Sequence, residues 1–209
     1  MSRGAGIAVG LATALVILAI SILPFLSRPW MSFEQGRAQV TLWTGWPEAD
    51  VRAATDSIVG DLIGFGGFGG FDGSVQGAQI LSERERSHMR DVRAVFAGFF
   101  VLAIAAAAGL WLAVRRRGAA AWAAIRGGAI GLMVGLVVAG VVLAFAFDAA
   151  FAIFHALFFA SGSWTFDPAT DRLVQLFPDQ FWFETTAAVG GLALLIGLGV
   201  MRLAGARKG

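Results

Sequence analysis

The stretch GGAIGLMVGLVVAGVVLAFAF, residues 127–147, runs from Gly127 to Phe147 without a single charged side chain. A helix needs about 20 apolar residues to cross the hydrocarbon of a bilayer, and this stretch supplies them. Three others have the same character: residues 6–26, 95–114 and 187–203. Of the 209 residues, 57% are hydrophobic and 14% charged, whereas soluble domains are nearer half apolar and a quarter charged. The expected fold class is therefore an all-α integral membrane protein with four transmembrane helices. The first apolar stretch stands behind MSRGAG, as in a signal peptide. Its core is too long, and SRPW follows in place of a small-x-small cleavage site, so it reads as an uncleaved helix.

Cysteine is absent, which excludes disulfides, thiolate nucleophiles and cysteine metal sites. The net charge of +2 gives no reason to expect nucleic acid. The placement of the cations says more. Arg3, Arg115–Arg117 with Arg126, and Arg202, Arg207 and Lys208 all fall on one side of a four-span topology, and short Lys/Arg-rich loops stay in the cytoplasm. Both termini are then cytoplasmic. The chain divides, as one membrane domain over 1–209, into spans 6–26, 95–114, 127–147 and 187–203, a cytoplasmic loop 115–126, and extracytoplasmic loops 27–93 and 148–184. Tryptophans 30, 43, 46, 164 and 182 gather near the outer interface, and 111 and 122 near the inner one. Small residues recur every fourth place, at Gly6, Gly10 and Ala14 and at Gly127, Gly131, Gly135 and Ala139, which lets helices approach closely in lipid.

The large outer loop has structure of its own. In PEADVRAATDSIVGDLIGF, residues 47–65, Val51, Ala54, Ile58, Leu62 and Ile63 recur at helical spacing behind a proline and an acidic first turn. This amphipathic helix is expected to lie on the membrane surface with its apolar face down. GFGGFGGFDG, residues 64–73, comes next and predicts a mobile lid, since glycine permits backbone conformations closed to other residues. It is not a phosphate cradle, for it lacks the Lys-Ser/Thr of a P-loop.

The chain has two histidines. His88 lies in SERERSHMRDVR, residues 82–93, where the absence of Pro and Gly over 78–97 lets one helix run from the charged stretch into the second span. On that helix Arg84, His88 and Asp91 share a face. Asp91 is placed to fix the imidazole's tautomer; the plain alternative is a solvated helix end with ordinary ion pairs. His155 sits in FDAAFAIFHALFFASGSWTFDP, residues 147–168, with Asp148 two turns earlier on its face. Ionisable groups at the hydrocarbon edge cost about 2.5–3.5 kcal/mol on insertion scales, so a pair of them points to a polar cavity; the alternative is an interfacial helix that has already left the lipid. Beyond it, Asp167 and Asp171 read as turn and cap residues that also stand near the histidine, together with Trp164.

Two segments, ERERSHMRDV (83–92) and FHALFFASGSWTFDPATDRLVQLFPDQFW (154–182), together with the length and span order, resemble the bacterial lipoprotein intramolecular transacylase family, Lit. The resemblance implies an enzyme, an acyltransferase of the cytoplasmic membrane acting at the outer leaflet on diacylated lipoproteins. It would move the sn-2 acyl chain from the glyceryl group to the α-amine of the N-terminal cysteine, giving the lyso-form lipoprotein. The family's two key histidines match His88 and His155. The partners expected are diacylated lipoproteins and membrane lipid, with no cofactor and no metal. In this scheme His88, oriented by Asp91, is the base and His155 the acid or oxyanion donor, or the two exchange roles; Arg84, Asp91, Asp148, Trp164, Asp167 and Asp171 bind or orient the substrate. Alternatives are an ester hydrolase with Ser87 or Ser161 as nucleophile, although neither stands in G-x-S-x-G, a metal site on the histidines with Asp91 or Asp148, and a non-catalytic lipid-binding assembly factor.

Overall fold

The computed structural model describes residues 1–64, 69–160 and 162–207. Among these the chain is almost wholly helical: α1 (Arg3–Ile22), α2 (Arg28–Arg37), α3 (Val40–Thr44), α4 (Glu48–Ile63), α5 (Glu83–Arg117), α6 (Ala119–Phe158), α7 (Arg172–Leu176) and α8 (Asp179–Ala206). A small antiparallel hairpin, β1 (Ser74–Val75) with β2 (Ala78–Gln79), precedes α5. Among the described residues four helices, including each expected span, are long and apolar enough to cross a membrane. The chain forms two compact units, one of residues 1–23, 99–146 and 187–209 and one of residues 24–98 and 147–186.

The first unit contains α1 and the span portions of α5, α6 and α8. Its centre is small and apolar: Ala129 and Ala193 are fully buried, Ile17 nearly so, with Leu18, Leu132 and Ile196 packed around them. Large side chains such as Val101, Ile104 and Val138 are exposed, as befits helices whose solvent is lipid. The hydroxyls of Thr13 and Ser21 donate to carbonyls of their own helix, Val9 and Ile17. The close approach lies one residue off the expected stripe. A Cβ on Gly128 would stand 2.5 Å from the Gly10 carbonyl oxygen, whereas Gly127, Gly131 and Gly135 face open space. A four-residue repeat marks a face, but helix crossing selects which glycine of GG meets the neighbour.

The second unit has a conventional core of Phe71, Leu81, Leu176 and Phe181, each almost completely buried. The helix read from residues 47–65 forms as α4, with Pro47 as its N-cap and Glu48 and Asp50 in its first turn. Its apolar face, Val51, Ala54 and Ile58, is buried in this core rather than turned to a membrane surface, because α2, α7 and Phe71 offer protein to pack against. Inside, Gln35 donates to Thr55 and to the Leu176 carbonyl, at 2.8 and 3.0 Å. Residues 65–68, the middle of the expected lid, lie outside the described residues. The far end of that glycine-rich stretch is anchored: the Phe71 N–H donates to Asp61 at 2.8 Å and the Phe71 ring is buried.

Candidate active site

The helix that carries His88 is fixed at its start by a reciprocal capping box. The Ser82 N–H donates to Glu85 at 2.7 Å and the Glu85 N–H to the Ser82 hydroxyl at 3.4 Å, as S-x-x-E at a helix start allows. Glu85 is buried and its other oxygen accepts the N–H of Leu173 at 2.6 Å. One carboxylate therefore caps α5 and α7 together. Asp171 occupies the N-cap position of α7 but its side chain does not cap it; it accepts instead from Arg84, at 2.7 Å, and from the Asp167 N–H, at 2.7 Å. Arg84 also donates to the Thr165 carbonyl at 3.0 Å and lies 4.9 Å over the Phe166 ring. Asp167 closes a turn by accepting from the Ala169 N–H at 2.9 Å. Arg84, Asp167 and Asp171 thus strap the loop 165–171 to α5 rather than reach the imidazoles.

That strap sets one wall of an aromatic chamber. His88 is buried, with Phe166 at 5.5 Å and Phe159 at 4.8 Å between ring centroids. His155, near the end of α6, stacks against His88 with centroids 5.9 Å apart and planes 28° from parallel. Phe151, Phe159 and Trp164 surround it at 4.0, 5.5 and 5.0 Å. Two side chains far apart in sequence therefore share one pocket of rings. The backbone of α6 breaks shortly before it: Ala146 has φ −144° and ψ 42°, a kink ahead of the turn that bears His155.

The hydrogen bonds of the two rings differ. His155 Nδ1 lies 2.8 Å from the Phe151 carbonyl oxygen. A carbonyl only accepts, so in the neutral ring Nδ1 carries the hydrogen and Nε2 keeps its lone pair. Among the described residues His88 Nδ1 is buried without a hydrogen-bond partner, as is the indole N–H of Trp164. Asp91, expected to orient His88, is exposed, and its carboxylate makes no hydrogen bond to that nitrogen. The i, i+3 spacing brings it to the right turn of α5, but the ring turns inward to Phe159 and Phe166 while the acid stays in solvent. Asp148 is exposed too and enters no ion pair among the described residues. Ser87 is exposed, and Ser161 lies outside the described residues. Among the described residues no three of His, Asp and Glu gather as a metal-binding set. A cleft of about 600 Å³ opens elsewhere in the same unit, between Asp167, Gln175, Gln39, Leu42 and Trp43, with neither histidine in its walls.

A family model for the lipoprotein intramolecular transacylase Lit matches residues 7–182, the span that holds both histidines and the strap. The chain belongs to the Lit family. An uncharacterised protein of Aquifex aeolicus (strain VF5) is 32% identical over 130 residues, 60% of this chain and 56% of that one, so the match spans little more than half of that relative's length. Among solved structures, the membrane-integral lipoprotein intramolecular transacylase Lit from Bacillus cereus has the same fold, with a TM-score of 0.78 at 19% identity over 99% of this chain and 96% of the other. A variant of that protein with one histidine replaced by arginine matches at a TM-score of 0.72 and 18% identity, over 99% and 92% of the two chains. Four long apolar helices and membership of the Lit family make the chain a multi-pass membrane protein.

Two site features of this Lit-family chain had signals that sequence reasoning passed over. Ser82-x-x-Glu85 is a legible capping box, although its second duty at Leu173 is not. The chamber's rings were legible as composition, the run Phe151, Phe154, Phe158, Phe159, but which of them would face His88 depended on tertiary packing.

Proposed function

We propose that the chain is a lipoprotein intramolecular transacylase, moving the sn-2 acyl chain of a diacylglyceryl-cysteine to the same molecule's N-terminal α-amine. The observation that carries this reading is the stacked His88–His155 pair, 5.9 Å apart inside an aromatic chamber. Amine and ester belong to one substrate, so holding them in register supplies up to about 7–11 kcal/mol of the barrier in the best cases, and no protein nucleophile is needed. His155 is the better base of the two, because the Phe151 carbonyl fixes hydrogen on Nδ1 and leaves Nε2 free to take the amine's proton. The amine nitrogen then bonds to the ester carbonyl carbon. His88 gives its proton to the glyceryl oxygen as the carbon–oxygen bond breaks, and the proton held by His155 restores it. The indole N–H of Trp164, buried and without a hydrogen-bond partner among the described residues, suits the oxyanion. Arg84, Asp167 and Asp171 keep the Phe166 wall in position. Asp91 and Asp148, both exposed, are left to contacts with the polar part of the substrate.

The reaction conserves mass, so the test is positional. The protein is expressed in a host whose lipoproteins are diacylated, and an N-terminal lipopeptide is fragmented in the mass spectrometer. The acyl chain is expected on the α-amine with a monoacylglyceryl thioether remaining. Release of free fatty acid with an unmodified amine would favour hydrolysis instead. We also propose that the histidines act at the outer leaflet with both termini in the cytoplasm. In intact cells a membrane-impermeant thiol reagent is then expected to label Ser163→Cys and spare Ala119→Cys; the reverse pattern would overturn this orientation.

A further inference from the structure

The acids are confined to one of the two units, whereas the cations are shared equally between them. The unit of residues 1–23, 99–146 and 187–209 holds eight cations, Arg3, Arg115–Arg117, Arg126, Arg202, Arg207 and Lys208, and none of the chain's 14 acids. Every ion pair among the described residues uses arginines of the other unit. Arg115 and Arg207 lie on aromatic faces, 4.8 Å from Trp111 and 5.9 Å from Trp122. Arg116 and Arg117 are exposed and enter no ion pair among the described residues. Both line a groove of about 210 Å³ between the start of α1 and the end of α5, whose other walls are Met1, Ala5, Val9, Gly109, Leu112 and Ala113. Gly109 leaves open space in this wall, with nothing within 4 Å of where a Cβ would be.

We infer that this groove holds one anionic glycerophospholipid, its phosphate on Arg116 and Arg117 and the first part of one acyl chain along the apolar residues that line the rest of it. Guanidinium groups match a phosphodiester in charge and fork geometry, and no carboxylate of their own unit competes. Apolar lining shared with two cations suits an amphiphile rather than a free anion. Zwitterionic lipids bring their own ammonium group and lose most of the attraction; a net negative headgroup keeps it. The inference stands apart from the transacylase reading, since it uses no residue of the histidine chamber.

The test is native mass spectrometry of the full-length protein released from detergent after incubation with equal amounts of phosphatidylglycerol and phosphatidylcholine of the same acyl composition. Phosphatidylglycerol adducts are expected to outnumber phosphatidylcholine adducts by at least about tenfold. R116Q/R117Q is expected to abolish that preference. Gly109→Leu, which adds bulk to the groove's lining and leaves every charge in place, is expected to weaken phosphatidylglycerol retention as well. R202Q/R207Q removes the same charge elsewhere and is expected to retain the lipid as the wild type does. Excess inorganic phosphate is expected to leave the adduct in place. Equal retention of the two lipids, unchanged retention in R116Q/R117Q or Gly109→Leu, an equal loss in R202Q/R207Q, or displacement by phosphate alone would each overturn the site.

Discussion

The two units keep their helices together with opposite materials. In the first, glycine and alanine let backbones meet: Gly10 against Gly128, Ala129 and Ala193 at the centre, large side chains outside, and no carboxylate anywhere in its sequence. In the second, a core of Phe71, Leu81, Leu176 and Phe181 is laced with carboxylate-to-arginine and carboxylate-to-backbone bonds, among them Glu85 to Leu173 and Arg84 to Asp171. The difference comes from the solvent. In lipid the hydrophobic effect between helices vanishes and close packing must supply the attraction. The second unit instead builds a protein-like interior with polar ties, and it contains both histidines.

The largest effect expected from breaking this division is chemical. His88→Ala or His155→Ala should each lower turnover by about 10²–10⁴-fold while thermal unfolding in detergent stays close to wild type. In the first unit, Gly128→Val drives a side chain into the Gly10 backbone and is expected to destabilise by about 1–3 kcal/mol. Gly131→Val, one turn away in open space, should be tolerated; scanning calorimetry separates the two, and equal losses would remove close packing as the glue of the first unit.

In the second unit, Arg84→Met cuts the strap to Asp171 and Thr165. Turnover should fall about tenfold, the equivalent of one or two lost charged hydrogen bonds at partial exposure, with the unfolding temperature little changed. A turnover equal to wild type would detach the loop from the chemistry.

The smallest effect concerns pH. Glu34 is buried in α2, and its Oε1, 3.8 Å from Arg37 Nε, makes no hydrogen bond among the described residues; burial first, and the Glu184 carboxylate beside it, push its carboxyl up to about 7. Its folded value lies above the unfolded one, so the folded state holds the extra proton and stability falls as pH rises from about 4.5 to about 7. Glu34→Gln should remove that slope and gain on the order of 1 kcal/mol at pH 8 relative to pH 5, measured as the pH dependence of the unfolding temperature.

The spans were legible because about 20 uncharged residues in a row have few other uses. So was α4, from its proline, acidic first turn and apolar spacing, and so was the meeting of the two histidines, since a short loop joins α5 to α6. What sequence did not yield was direction. Asp91 shares a helix face with His88 yet points to solvent, Asp148 likewise, and α4 packs inward because partners in its own unit were available. Spacing along a helix fixes which turn a side chain occupies; what the ring turns toward is decided by residues such as Phe159 and Phe166, far away in the chain. Glu85 shows the same limit from the other side, since its capping box is local and its bond to Leu173 is not.

Most directly, the shared chamber is tested by comparing His88→Ala, His155→Ala and the double variant under identical conditions, scoring N-acylated lipopeptide by fragmentation. Residues that act as a unit are non-additive, so the double variant should lose hardly more activity than either single one. Losses that multiply, with each single variant retaining substantial activity, would mean that the two histidines work independently and that the stacked pair is not one catalytic site.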